Sequence, residues 1–259
     1  MPELPEVETL CRQLQNVILG AVVEELVILD RKLGPMENMA GLCVRSVERQ
    51  GKHLVIRLDR NRTLHLHLRM SGRLLWHEHA DGLPAHSRFM IRFPHGRLVC
   101  VDPRRFATLV ADDPKDRTAP VSDPLKALDA SILQATARGR QAPVKSFLLN
   151  QAVVAGLGNI YVCELLHKAS INPRRGAGSL SAAEWRKVAQ AGRQILRHAT
   201  KCRGTSISDW RDLYGNKGDY QHHLAVYSRE GLPCTRCKKT IQRTVIGGRG
   251  TYYCPTCQP

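Results

Sequence analysis

Toward its C-terminus the chain carries Cys234-x2-Cys237, an interval of 16 residues, and Cys254-x2-Cys257. Cysteines two residues apart can clip a metal from a tight knuckle, and the interval suits a hairpin, so the pattern specifies one closed, tetrahedral, structural zinc site in a small ribbon. A metal held this way acts as a staple for the fold of the segment. Inside the hairpin, Gln242, Arg243, Arg249 and Thr251 surround a GGRG turn, placing cations and donors on a backbone that can approach another surface closely. The other five cysteines, Cys11, Cys43, Cys100, Cys163 and Cys202, are scattered and odd in number, as expected of reduced thiols packed as small hydrophobes.

Lysine and arginine number 39 against 23 acidic residues, a net charge of +16 spread along the chain, which implies a polyanionic partner. An acidic membrane surface would call for a basic amphipathic helix or a lipidation signal, and the sequence has neither, so nucleic acid is the expected partner. MPELPEVETL lacks the basic and apolar regions of a signal peptide, and no window approaches a membrane span; a cytoplasmic protein is expected.

With 259 residues, 42% of them hydrophobic, the chain can fill two ordinary domains. Val7, Leu10, Leu14, Val17 and Ile18 recur at helical spacing and Gly20 follows as a cap, predicting a leading amphipathic helix. From Ala21 to about Val110, short β-rich runs (VVEELVIL, HLVIRL, TLHLHLRM, RLLWHE, RFMIRF, RLVCV) alternate with turn signals, the pattern of a β-sandwich or flattened barrel. The segment ADDPKDRTAPVSDP is rich in proline and charge and reads as an interdomain connection. Helical segments follow near 125–137, 143–151, 159–168 and 181–200, the last opened by Ser181 with Glu184 three residues on. Residues 202–223 are polar and weakly periodic, as in a mobile loop. The expected class is α+β, with an N-terminal domain at 1–115, a linker at 116–124, a mainly helical domain at 125–223 and the zinc ribbon at 224–259.

If Met1 is removed, Pro2 becomes the N-terminal residue and its nitrogen a secondary amine. An α-amino group titrates near about 8, against about 10.4 for lysine, so an appreciable fraction is nucleophilic at cellular pH. Condensed with a sugar C1′ it gives an iminium with no N–H to lose, an electron sink that acidifies the C2′ proton and invites elimination of the 3′ phosphate. Glu3 and Glu6 stand beside it as proton-transfer groups or counter-charges. The same three residues also begin a helix well, through fixed φ and favourable contacts with its dipole.

MPELPEVET, QGKHL, HLRMSG, DPRRF, AGLGNIYVCE and GRGTYYCPTCQ, in this order over nearly the whole chain, resemble bacterial formamidopyrimidine-DNA glycosylases. The resemblance implies a β-sandwich, a helix-two-turns-helix module and a zinc ribbon, with DNA in the cleft between domains. It implies Pro2 as the Schiff-base nucleophile, Glu3 as general acid/base, Lys52 as a hairpin lysine that binds phosphate and assists elimination, and Arg249 as a catalytically required phosphate clamp. Met70, Arg104 and Phe106 match the trio that fills the gap left by an extruded nucleotide, and Asn159, after the Gly156–Gly158 turn, matches a phosphate ligand. His86, Arg140 and Lys145 match further DNA-contacting positions, and Glu6 joins this group. The implied enzyme is a monomer acting on damaged double-stranded DNA with no obligate protein partner, removing oxidised purines and cutting the strand by β,δ-elimination.

Three positions depart from the family pattern: Asn150 where aspartate is more common, Arg69 in place of a small residue before Met70, and Ser228 within the usual VYGR. The opening PELPE argues against an endonuclease VIII-like enzyme, which prefers oxidised pyrimidines and begins PEGPE. GTSISDWRDLYGNKGDYQHHLAVY resembles the lesion-capping loop of purine-preferring members, although Tyr214 and Tyr220 within it are equally suited to packing. A non-catalytic zinc-ribbon DNA-binding protein is the rival of another class; it would bind DNA without cutting it.

Overall fold

Helix α1 (Leu4–Ile18) starts one turn before the apolar period alone suggests, because Pro5 in its first turn has φ already set for helix and Glu3 caps it. Its buried stripe is Val7, Leu10, Leu14 and Ile18, as the spacing predicts. The computed structural model describes residues 1–79, 82–112 and 123–259, and these group into two compact units, Met1–Ala119 with Cys202–Gln221, and Pro120–Lys201 with His222–Pro259. Most of the linker expected at 116–124 lies outside the described residues.

In the N-terminal unit, strands β1 (Glu25–Ile28), β2 (Val44–Gln50), β3 (His53–Leu58), β4 (Thr63–His67), β5 (Arg73–His77), β6 (Ser87–Phe93), β7 (Gly96–Val101) and β8 (Thr108–Ala111) form two four-stranded sheets, ordered β1-β6-β7-β5 and β2-β3-β4-β8. All pairings are antiparallel, with β2 and β3 joined through the two-residue turn Gly51-Lys52, where Gly51 has φ 60°. One core draws on α1 and both sheets, including Leu54, Leu64, Leu74, Phe89 and Leu98. Each such side chain contributes about 2 kcal/mol on burial. β4 is buried along its whole length, so His65 and His67 are interior residues.

Residues 202–221, expected to be a mobile loop of the helical domain, are packed into this N-terminal core. Leu213 and Trp210 are core members; Leu213 accepts from the Trp76 N–H at 2.9 Å and donates its own N–H to Gln13 Oε1 at 2.9 Å. Asp212 holds the irregular backbone by accepting from the N–H groups of Tyr214 and Asn216 at 3.0 and 2.8 Å. Tyr220 is buried, whereas Tyr214 is exposed.

The C-terminal unit contains α2 (Ala130–Ala137), α3 (Val144–Leu149), α4 (Asn159–Ala169), α5 (Ala182–Lys201) and the hairpin β9 (Gln242–Ile246) with β10 (Arg249–Tyr253). α2 begins later than expected because Asp129 caps it, accepting from the N–H groups of Ser131 and Ile132. Ser181 and Glu184 form the predicted capping box of α5: the Ser181 N–H donates to Glu184 Oε2 at 2.8 Å and the Glu184 N–H to Ser181 Oγ at 3.3 Å. Among the described residues no helix is long and apolar enough to cross a membrane.

Candidate catalytic and nucleic-acid-binding sites

In the N-terminal unit Pro2, Glu3 and Glu6 are all buried at the start of α1, with Met1 ahead of them 41% exposed. Glu6 Oε2 accepts the Glu3 N–H at 2.8 Å and Oε1 accepts the Thr205 N–H at 2.7 Å. Gly204 passes so close that a Cβ there would lie 2.5 Å from Glu6 Oε1, and its φ of +81° also requires glycine. Glu6, expected among the DNA-contacting groups, therefore ties the base of α1 to residues 202–221. It sets the surroundings of Pro2 and Glu3 through the backbone.

Lys52 sits buried in the β2–β3 turn. Burial pushes the His67 imidazole down to about 3, and the neighbouring His53, Arg69 and Lys52 push it the same way. His67 is thus neutral, and its Nδ1 accepts the Arg69 N–H at 2.9 Å while His53 meets its ring edge-on at 4.5 Å. That contact fixes the turn leading to Met70, which is 49% exposed. Arg104 and Phe106 are exposed, with the guanidinium 4.8 Å from the ring centroid. His86, exposed and at φ 65°, lines a cavity of about 380 Å³ with Asp30, Arg31, Arg88 and Arg105.

In the C-terminal unit Arg249 opens β10 directly after Gly247 and Gly248, whose φ of 57° and 71° make the two-residue hairpin turn. A Cβ on Gly247 would lie 2.9 Å from Ser146 Oγ, so the turn is pressed against α3. Arg249 itself is exposed. Lys145, expected among the DNA-contacting residues, lies on α3. It is fully buried, and its ammonium donates to Thr251 Oγ1 at 2.6 Å and to the Gly250 carbonyl at 3.0 Å, so it braces the hairpin from within. Asn159 Nδ2 donates to the same carbonyl at 2.9 Å, which leaves its second amide hydrogen for an anion. Arg140 is exposed and lies 5.7 Å from the Phe147 ring centroid.

The turn before α4 is organised by Gln151, which donates to the Leu157 carbonyl and accepts the Gly156 N–H, both at 2.9 Å. Asn150 accepts the Ala152 N–H at 3.0 Å through its amide oxygen, the work an aspartate oxygen would do. Arg69 and Ser228, the other departures, have φ of 55° and 57°, where a side chain costs about 1 kcal/mol and glycine is free.

The four cluster cysteines bring their sulfurs within 4.8 Å of one another, with Cys234–Cys257 at 3.9 Å and Cys237–Cys254 at 3.4 Å. Tetrahedral zinc with Zn–S bonds of about 2.3 Å holds its sulfurs about 3.8 Å apart, so the donor set fits one structural zinc ion. Cys234 and Cys254 are buried with Cys163, Val226 and Ile241, which joins the ribbon to α4. His167 Nε2 lies 3.4 Å from Cys234 Sγ, the placement of an outer partner to a metal thiolate.

Two buried carboxylates were not singled out by spacing or composition. Glu164 accepts three N–H groups, from Ala225, Val226 and Tyr227 at 2.8 to 2.9 Å, and burial raises its carboxyl in spite of them. Asp102 accepts backbone N–H groups of the DPRRF loop, and only the presence of that motif marked it. Most of their partners are backbone N–H groups, which residue identity does not reveal.

Three family models match in sequence order: the formamidopyrimidine-DNA glycosylase N-terminal domain at residues 1–109, the formamidopyrimidine-DNA glycosylase H2TH domain at 120–210, and a zinc finger found in FPG and IleRS at 231–259. The formamidopyrimidine-DNA glycosylase of Pelotomaculum thermopropionicum is 39% identical, over 100% of this chain and 99% of its own length. Among solved structures, MutM (FPG) of Thermus thermophilus superposes with a TM-score of 0.87 at 34% identity, covering 99% of this chain and 98% of that one. The Lactococcus lactis Fpg, in complex with DNA containing an abasic site, superposes with a TM-score of 0.89 at 31% identity, covering 99% of both. A cysteine ribbon that fits zinc, a buried Pro2 followed by the buried carboxylates of Glu3 and Glu6, and this likeness along the whole length agree: the chain belongs to the formamidopyrimidine-DNA glycosylase family.

Proposed function

We propose that this protein is a base-excision-repair glycosylase and abasic-site lyase that removes oxidised purines, chiefly 8-oxoguanine and formamidopyrimidines, from duplex DNA. The observation that carries the reading is Pro2, at the buried foot of α1 beside Glu3, with Glu6 fixing the backbone between them. Once Met1 is removed, the Pro2 nitrogen attacks C1′ and the damaged base leaves with a proton. Glu3 serves as the acid that protonates the ring oxygen as the sugar opens, and its carboxylate then serves as the base that accepts the C2′ proton. The iminium formed has no N–H, so it persists while the C2′ proton is lost and the 3′ phosphate departs; a second elimination expels the 5′ phosphate. Lys52 and Arg249 supply cations for the departing and flanking phosphates, and the Asn159 amide, Arg140 and His86 are further phosphate contacts. Met70, Arg104 and Phe106 occupy the gap left by the extruded nucleotide, recovering part of an unstacking cost of about a few kcal/mol. Zinc holds the hairpin that bears Arg249. Given a net charge of +16 and bacterial relatives, the site of action is the cytosol and nucleoid, and the working form a monomer.

Borohydride trapping on duplex DNA with an abasic site tests the chemistry. Wild type should form a covalent adduct, and Pro2→Gly, or protein retaining Met1, should not. Absence of an adduct from correctly processed, zinc-loaded protein would leave only a DNA-binding ribbon protein. Excision rates on 8-oxoguanine and thymine glycol duplexes then separate a purine from a pyrimidine preference.

A further inference from the structure

Met70 and Phe106 are large apolar side chains left 49% and 41% exposed, so neither is held in place by burial of its own side chain. Their positions depend on the two loops that carry them. Both loops contain a residue in left-handed backbone, Arg69 at φ 55° and Arg105 at φ 58°, conformations that persist only where the surroundings over-determine them.

One buried carboxylate meets both loops. Asp102 Oδ1 accepts the Ser71 hydroxyl at 2.6 Å and the Arg104 N–H at 3.1 Å; Oδ2 accepts the Phe106 and Ala107 N–H groups, both at 2.7 Å. Asp102 is 0% exposed, and Ser71 is also buried. The loops touch again beside it: a Cβ on Gly72 would lie 2.5 Å from the Leu68 carbonyl and 3.1 Å from the Ala107 methyl, so glycine permits the turn to seat against Ala107. Behind the carboxylate, Arg88 Nη1 lies 3.6 Å from Asp102 Oδ2, and the same guanidinium pairs with Asp30. Asp30 in turn takes Arg105 in a two-bonded fork at 2.8 and 2.6 Å, drawing that side chain off between its neighbours Arg104 and Phe106. Four donors outweigh desolvation and hold the Asp102 carboxyl below its ordinary range, so it is an anion at neutral pH.

We propose that Asp102, through its bond to Ser71, is the positioning residue that locks the Met70 loop to the Arg104–Phe106 loop, so that the three side chains enter the duplex as one preformed wedge. A wedge set this way need not be ordered during insertion, which is where a misplacement costs rate. The inference rests on the glycosylase reading above.

Ser71→Ala removes the tie between loops and leaves the Asp102 bonds within its own loop. The test uses full-length protein, duplex DNA with a tetrahydrofuran abasic analogue, and 2-aminopurine beside the orphan base, whose fluorescence rises when the stack is opened. Wild type should give the rise, and Ser71→Ala should lose at least about half of it and excise 8-oxoguanine from duplex about tenfold more slowly. Trapping on single-stranded abasic DNA, which needs no wedge, should change by less than about twofold, and in a Met70→Ala background Ser71→Ala should add less than about twofold. Asp102→Asn should show the same split more strongly; if it does not fold, Ser71→Ala decides alone. Parallel loss of both activities, or an undiminished fluorescence rise in Ser71→Ala, overturns the inference. Wild type that traps no abasic DNA removes the glycosylase reading and this one with it.

Discussion

At the scale of single residues, several groups that look like ligands by type also make bonds that hold the fold. Lys145 has its charge turned to the zinc hairpin, and Glu6 has its oxygens on two N–H groups. His67 is the same kind of case with a measurable signature. Its folded pKa of about 3 lies below the 6.5 of a free imidazole, so between these values the unfolded chain binds more protons. Stability from this residue is complete above pH 6.5 and is lost as pH falls toward 3. Thermal melts of His67→Gln should accordingly show a shallower fall over that window than wild type; an unchanged slope would mean that His67 is not the group titrating. The cysteine cluster was legible because its spacing is distinctive, and the structure gathers the four sulfurs; Pro2 and Glu3 stood out by the chemistry their residue types allow. Sequence could not tell which way the Lys145 ammonium points, since that depends on carbonyls a hundred residues away in the chain.

At the scale of elements, the helix caps and the hairpin turn were legible because they are local: Ser181 with Glu184, and Gly247 with Gly248, carry their geometry in adjacent residues. The bracing of the hairpin was not, because it is tertiary. α3 supplies Lys145 and α4 supplies Asn159, and both donate to the Gly250 carbonyl next to Arg249. Lys145→Met keeps the length and removes the donors, leaving buried acceptors unmatched at a cost of about 1 to 3 kcal/mol. The expected outcome is a lower urea midpoint together with weaker DNA binding, read by fluorescence anisotropy, while zinc content stays at one per chain. Loss of zinc in this variant would show that Lys145 acts on the metal site as a whole.

At the scale of the whole molecule, the sandwich and the helical region follow from period and turn signals, but the grouping of residues 202–221 does not. Their apolar anchors, Trp210 and Leu213, are separated by irregular backbone and form no stripe. The zinc ribbon has its own small core with Cys163 and Val226, distinct from the sandwich core. Chelation of zinc, or Cys254→Ser, is therefore expected to abolish DNA binding while the β-sandwich keeps its cooperative melt, followed by near-ultraviolet dichroism of Trp76 and its neighbours. Retained tight binding without metal would overturn this role for the ribbon.

The passage of Cys202–Gln221 back into the sandwich core also bears on how the chain is made. A ribosome delivers α1 and all eight strands long before Trp210 and Leu213 emerge, so the first half of the chain must wait with a gap beside Trp76. Helix α1, which Pro2 and Glu3 precede, shares that delay, because Gln13 Oε1 and Glu6 Oε1 accept N–H groups of the late segment, those of Leu213 and Thr205. The surroundings of Pro2 are thus completed only after the helices of the other unit have been synthesised, and a gene cut between Ala119 and Pro120 encodes an unfinished core.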